Sequence, residues 1–245
     1  MLMDFFRSLF LPLATLLWLC PLCLLGSSLF FVACAHLKRS LDWPVAYSRK
    51  LFHFLTFMSS ALIYQHFGLP TLCVFGASVS IWIALAIYVK DELGWYGVLA
   101  RPQDAPHKTK YIVFPYLATL VGGFSAHLIS PLHAVAGFWV VGVADALAEP
   151  VGRRFGKHEV KWPLPWLKNS TRTLEGSLAV VLSSWIIYLC LIPFSSLVPW
   201  LLLPLSLGIA MGMVEACSPH GWDNFTLQIS ATGIWFLMSG YLGQL

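Results

Sequence analysis

Charge is what this chain has least of. Asp, Glu, Lys and Arg together make 11% of its 245 residues, while 58% are hydrophobic. A soluble globular domain carries about 25% charged residues. A water-soluble fold has no interior large enough to hide this much apolar surface, so the composition excludes one and demands a bilayer. Cysteine pairs are also lacking. The six cysteines are scattered, mostly inside apolar runs, and Cys20-Pro21-Leu22-Cys23 is a C-x-x-C with no partner pair or histidine beside it. A redox or structural-zinc reading therefore falls away. The eight histidines show no H-E-x-x-H spacing. The modest excess of cations calls for no nucleic-acid partner, because membrane orientation accounts for it. No repeat, low-complexity tail or soluble domain stands out, so residues 1–245 read as a single membrane domain.

The long uncharged runs give the topology. Residues 8–37, 51–89, 111–144, 176–214 and 224–245 contain no Asp, Glu, Lys or Arg. A spanning helix takes roughly 20 apolar residues. The run lengths of 30, 39, 34, 39 and 22 thus fit one, two, two, two and one passes. The expectation is an all-α, polytopic integral membrane protein of about eight transmembrane helices. Turn residues interrupt each double run, at His66–Pro70, at Ser130-Pro131 and at 195–199. Of the 15 Lys and Arg residues, 14 fall in the segments 38–50, 90–110 and 153–172. By the positive-inside rule these segments face the cytoplasm. The expected cytoplasmic loops are 36–50, 90–110, 152–173 and 214–223, with both termini on the other side. The first run is too long for a signal-peptide core, and its n-region has no net positive charge, so it reads as a span.

Against this background five of the 11 acids stand out. Asp145, Glu149, Glu175, Glu215 and Asp223 sit at the cytoplasmic ends of spans five to eight. An ionisable residue at membrane depth costs about 2.5–3.5 kcal/mol on insertion scales and marks a functional site by default. Asp145 and Glu149 are four apart and share a helix face, which Arg153 continues if the helix persists. Pro150 predicts a bend or an end there, and Gly152 and Gly156 would let the backbone turn. Two carboxylates with open positions suit Mg²⁺, which takes one or two carboxylates plus substrate phosphates. Arg153, Arg154 and Lys157 suit phosphate oxygens, and Lys168 and Arg172 could hold more. Glu175 opens a span where the helix dipole favours an acid, and Gly176 allows close packing at that helix start. Asp223 and Asn224 open the last span.

These stretches resemble the CTP-dependent lipid kinases, the group containing the dolichol, phytol and CTP-dependent diacylglycerol kinases. The family pattern G-D-x-x-A-D/A-x-x-G-R-R-x-G is matched by Ala144-Asp145-Ala146-Leu147-Ala148-Glu149-Pro150-Val151-Gly152-Arg153-Arg154-Phe155-Gly156. The pattern K-[ST]-x-E/A-G-[ST] is matched by Arg172-Thr173-Leu174-Glu175-Gly176-Ser177. An acid followed by a loop ending D-N is matched by Glu215 and Asp223-Asn224. An early R-K-x-x-H element is matched by Arg49-Lys50-Leu51-Phe52-His53. Ala144, Glu149 and Arg172 depart from the usual Gly, shorter acid and Lys. The related phosphatidate cytidylyltransferases share the second pattern, but their H-G-G-x-x-D-R-x-D signature is not met at His220–Asn224.

The resemblance implies transfer of the γ-phosphate of CTP to an isoprenoid alcohol (phytol, dolichol or polyprenol) or to diacylglycerol. Mg²⁺ would be held by Asp145 and Glu149, with Glu175 and Glu215 in the same acid set. The triphosphate would be bound by Arg153, Arg154, Lys157, Lys168 and Arg172, with Gly152, Gly156, Gly176, Asn224, Arg49, Lys50 and His53 around it. Asp145 and Asp223 are the candidate bases. The partners implied are a membrane lipid alcohol, a nucleoside triphosphate and the bilayer. Gly208 and Gly212 permit close helix packing, within one chain or in a homodimer. The membrane would be the inner membrane in a bacterium, or that of the endoplasmic reticulum or plastid in a eukaryote. The alternatives are a cytidylyltransferase making a CDP-lipid, and a transporter whose acids carry ions.

Overall fold

The computed structural model describes residues 10–90, 94–160, 172–194, 197–219 and 221–242. Among these no strand occurs, and an isolated bridge joins Glu159 to Thr173. Six of the described helices are long and apolar enough to cross a membrane, so the chain is an all-α, polytopic membrane protein. It divides into two compact units, residues 1–109 and 110–245.

The first unit is built on α1 (Leu13–Ser40) and α2 (Val45–Val89). The latter is 45 residues long and is broken at Gly68, where φ is 76° and ψ −176°. A backbone at that angle is accessible essentially only to glycine, and Pro70 follows two residues later. The break falls where the turn residues His66–Pro70 predict one. Both arms of α2 pack on α1. Phe52 lies 4.3 Å from Phe31 between ring centres, and the Trp82 indole donates to the Leu24 carbonyl at 2.8 Å. The following loop is held to the helices by Lys38, which donates to the Gly97 carbonyl, and by Ser48, which donates to Val98.

The second unit holds α3 (Lys110–Ile129), α4 (Ala134–Phe155), α5 (Leu174–Leu191), α6 (Leu197–Cys217) and α7 (Asp223–Leu242). The turn between α3 and α4 contains Ser130-Pro131, as expected. The central helix is α4. Of its apolar stretch 67% is buried, against 28% for α3 and α5. Small residues bring the neighbours close. A Cβ on Gly137 of α4 would lie 2.9 Å from the Gln228 carbonyl of α7, and one on Gly208 of α6 would lie 2.6 Å from the Val181 carbonyl of α5. Gly212 packs against Val181 as well. The Gly208/Gly212 pair is therefore used inside the chain, joining α6 to α5.

Of the bend or end expected at Pro150, the end does not occur, since the helix continues to Phe155. Just upstream, Val140–Asp145 form a π-helical turn, which is wider than an α-turn. Gly156, the residue capping this helix, has φ −64° and ψ 119°, an ordinary extended conformation. The glycines here do not supply a left-handed turn.

Candidate active site

The C-terminal half of α4 carries the first part of the site. Asp145 closes the π-helical turn and is 3% exposed. Turns of this kind are found frequently at functional sites, and here the turn sets a carboxylate inside the helix bundle. Because α4 persists beyond Pro150, the face that begins at Asp145 does extend to Arg153. The Arg153 Nε lies 3.3 Å from the Glu149 Oε1. Arg153, Arg154 and Lys157 are exposed beyond it, and Arg154 lies over the Phe155 ring.

Thr173 builds the second part. Its hydroxyl caps α5 by accepting from the Gly176 N–H at 3.2 Å, the usual service of a threonine at a helix start. Three glycines let α4 lie directly on this cap. A Cβ on Gly152 would come 2.8 Å from the Thr173 Oγ1, one on Gly156 2.7 Å from the Thr173 Cγ2, and one on Gly176 2.9 Å from the Ala148 carbonyl. The glycines of both matched patterns therefore meet each other's helix, and their shared surface fixes the distance between α4 and α5. Beside them the chain pairs across the loop. Val160 donates to the Arg172 carbonyl and Leu174 to the His158 carbonyl, each at 2.9 Å. Here Glu175 is engaged by His158, whose Nδ1 lies 2.8 Å from its Oε1.

The third part joins α5 to α6 and α7. Arg172 is largely buried. Its Nη1 lies 3.5 Å from the Glu215 Oε1, and its Nη2 donates to the Ser218 carbonyl at 3.0 Å. The Ser177 hydroxyl donates to the other Glu215 oxygen at 3.2 Å. One Glu215 oxygen thus accepts a hydrogen bond from Ser177, and the other faces the Arg172 guanidinium in an ion pair. A carboxylate that is 6% exposed needs such partners, because desolvating an uncompensated charge is costly. The further charges that act on Glu215 are those of Asp145 and Asp223. Asp145 of α4 and Asp223 of α7 therefore lie close enough to act on Glu215 of α6, which itself pairs with Arg172.

The Asn224 side chain is turned to α3, donating to the Pro115 carbonyl and the Thr119 hydroxyl. Arg49, Lys50 and His53 belong to the first unit, where Lys50 is buried and His53 packs on Phe57. Lys168 lies outside the described residues. Ser177, Ser218 and His158 were not singled out by the sequence as site residues. Ser177 ends the second matched pattern, but nothing in the spacing says that its hydroxyl meets an acid 38 positions away.

Among the described residues, no group of three or more His, Cys, Asp or Glu is arranged to hold a metal by itself. Mg²⁺ is commonly bound through one or two carboxylates and completed by phosphates and water. Asp145 and Asp223, which both act on Glu215, are carboxylates of the kind such a shared ion requires.

No family model matches the chain, and no solved structure matches it. Three curated proteins do. Dolichol kinase of Saccharomyces cerevisiae is 26% identical over 152 residues, covering 60% of this chain and 28% of the relative. Dolichol kinase EVAN of Arabidopsis thaliana is 24% identical over 216 residues, covering 80% and 32%. Phytol kinase of a Synechocystis species is 30% identical over 117 residues, covering 47% and 48%. The matched region spans less than half the length of each of these relatives.

Proposed function

We propose, from this kinship with dolichol and phytol kinases, that the chain is an integral-membrane lipid kinase. It moves the γ-phosphate of CTP to the hydroxyl of an isoprenoid alcohol. The observation that carries the reading is the Arg172–Glu215 pair with Asp145 and Asp223 acting on the same Glu215, while the exposed Arg153, Arg154 and Lys157 follow at the end of α4. Phosphoryl transfer asks for positioning and charge neutralisation more than for covalent chemistry, and this set of residues supplies both.

In the reaction the alcohol oxygen attacks the γ-phosphorus. The bond from that phosphorus to the β,γ-bridging oxygen breaks, and CDP leaves. The hydroxyl proton passes to a carboxylate, Asp145 or Asp223. Mg²⁺ held by these two aspartates would neutralise charge on the phosphates. Arg153, Arg154 and Lys157 bind the nucleotide from the aqueous side. Glu215 holds Arg172 in place, Glu149 holds Arg153, and Glu175 holds His158, so these three acids are engaged by other side chains rather than by the metal. The charged loops face the cytoplasm, where a water-soluble triphosphate meets a membrane-soluble alcohol.

The test uses purified protein in detergent with Mg²⁺ and a pool of phytol, polyprenol and diacylglycerol. CTP is labelled at the γ- or the α-phosphate in parallel. Label reaching lipid from the γ-position alone supports the kinase and identifies the acceptor. Label arriving from the α-position would instead make the protein a cytidylyltransferase. Transfer from neither position would overturn the enzyme reading and favour transport.

A further inference from the structure

A glutamine in the second turn of an apolar helix calls for an explanation. Gln228 lies on α7 and is fully buried. A leucine there would fill space without a polar group to satisfy, and a buried polar side chain in a membrane helix is expensive. Among the described residues its Oε1 has no hydrogen-bond partner. What the residue provides is its amide donors. Nε2 donates to the Thr119 carbonyl of α3 at 3.1 Å and to the Asn224 carbonyl at 2.8 Å. Two carbonyls fix which end of the amide points at them, because the flipped amide would set oxygen against oxygen.

Asn224 is held from the other side as well. Its Nδ2 donates to the Thr119 hydroxyl at 2.8 Å and to the Pro115 carbonyl at 3.2 Å. The Thr119 hydroxyl in turn donates to the Pro115 carbonyl at 2.9 Å. The Asn224 backbone N–H donates to the Asp223 Oδ1 at 3.0 Å. Asn224 is thus tied at its side chain, its carbonyl and its N–H, and the last of these ties orients a site carboxylate. The helices approach closely enough for this because Gly122 and Gly123 of α3 and Gly137 of α4 seat Gln228. A Cβ on Gly122 would come 2.7 Å from the Gln228 Nε2 and 2.9 Å from the Phe225 Cα.

We propose that Thr119 and Gln228 are positioning residues for Asp223, acting through Asn224. They fix α7 to α3 in one register and hold the Asp223 carboxylate toward Glu215. The proposal rests on the reading of Asp223 as a carboxylate of the transfer site. It gives Asn224 the work of orienting its neighbour, in place of contact with the nucleotide.

Thr119→Val keeps the side-chain shape and removes the hydroxyl, whereas Thr119→Ser keeps the hydroxyl. Amide hydrogen exchange over residues 222–228 is measured in wild type and both variants, and γ-phosphate transfer from CTP to the alcohol is measured beside it. In Thr119→Val, exchange in this segment is expected to rise about tenfold, the scale of one lost hydrogen bond. The kcat should fall by about the same factor, with the KM for the alcohol unchanged. Thr119→Ser should restore both to within about twofold. Gln228→Met, similar in length but without donors, should move the same two readouts as Thr119→Val. Wild-type exchange in Thr119→Val would overturn the proposal. So would a serine variant as impaired as the valine variant, which would make packing and not the hydroxyl responsible. Exchange does not depend on turnover. If the wild type transfers no phosphate, the kinase reading falls, and exchange alone still decides whether the clamp exists.

Discussion

Arg172 and Glu215 face each other across the start of α5 and the end of α6, with 3.5 Å between Nη1 and Oε1 and side-chain exposures of 13% and 9%. They are far apart in sequence and each belongs to a different matched pattern. Their contact turns two separate motifs into one site. Ser177 and the Ser218 carbonyl complete the arrangement.

A buried pair of this kind is sensitive to loss of one member. Arg172→Met would leave Glu215 buried beside Asp145 and Asp223 with its opposite charge gone. The expected loss of stability is about 3–5 kcal/mol. The double variant Arg172→Met/Glu215→Met leaves no unpaired charge and should be more stable than Arg172→Met alone. Thermal unfolding in detergent of the two single variants, the double variant and wild type measures this. A double variant less stable than Arg172→Met would remove the pairing as the cause.

The seat of α4 on α5 makes a second expectation. Gly176→Ala places a methyl against the Ala148 carbonyl at 2.9 Å, and backbone cannot yield as a flexible side chain can. The cost should be about 1–3 kcal/mol, with a loss of transfer because the α4 and α5 parts of the site move apart. Gly233→Ala is the control, since a Cβ there meets nothing within 4 Å. It should be neutral or stabilising by up to about 1 kcal/mol, the helix-propensity gain. Unfolding midpoints of the two variants decide between these signs.

At Gly68 the strain is in the backbone. With φ at 76° and ψ at −176°, an alanine would be forced into a region costing about 1–3 kcal/mol. Space is not the obstacle, because the nearest contact of an added Cβ is the Pro70 Cδ at 3.7 Å. Gly68→Ala should therefore lower the unfolding midpoint while leaving the chain inserted. A midpoint equal to wild type would show that the break in α2 does not need this residue.

Much of the scaffold was legible because hydropathy and punctuation are local signals. The uncharged runs located the long helices, and His66–Pro70 and Ser130-Pro131 marked breaks that the structure contains. The spacing of Asp145, Glu149 and Arg153 gave one face, and the 3.3 Å pair on α4 lies on it. What stayed hidden depends on packing between distant segments. The π-helical turn at Val140–Asp145 has no residue signature of its own. Gly176 allows the close packing expected of it, against the Ala148 carbonyl, whereas Gly156, expected to let the backbone turn, lies against Thr173. Asn224 beside Asp223 suggested a ligand, whereas its amide is committed to Thr119 and Pro115 on a helix more than a hundred positions earlier.

The central claim concerns Asp145, buried at the end of the π-helical turn. It is tested most directly by comparing γ-phosphate transfer from CTP to a polyprenol or phytol acceptor in wild type and in Asp145→Asn, with equal amounts of each confirmed in the membrane. The isosteric amide keeps the packing and removes the charge and the basicity. The expected result is a fall in kcat of about 10²–10⁴-fold, the range for loss of a general base, with normal insertion. An Asp145→Asn protein that transfers phosphate as fast as wild type would contradict the assignment.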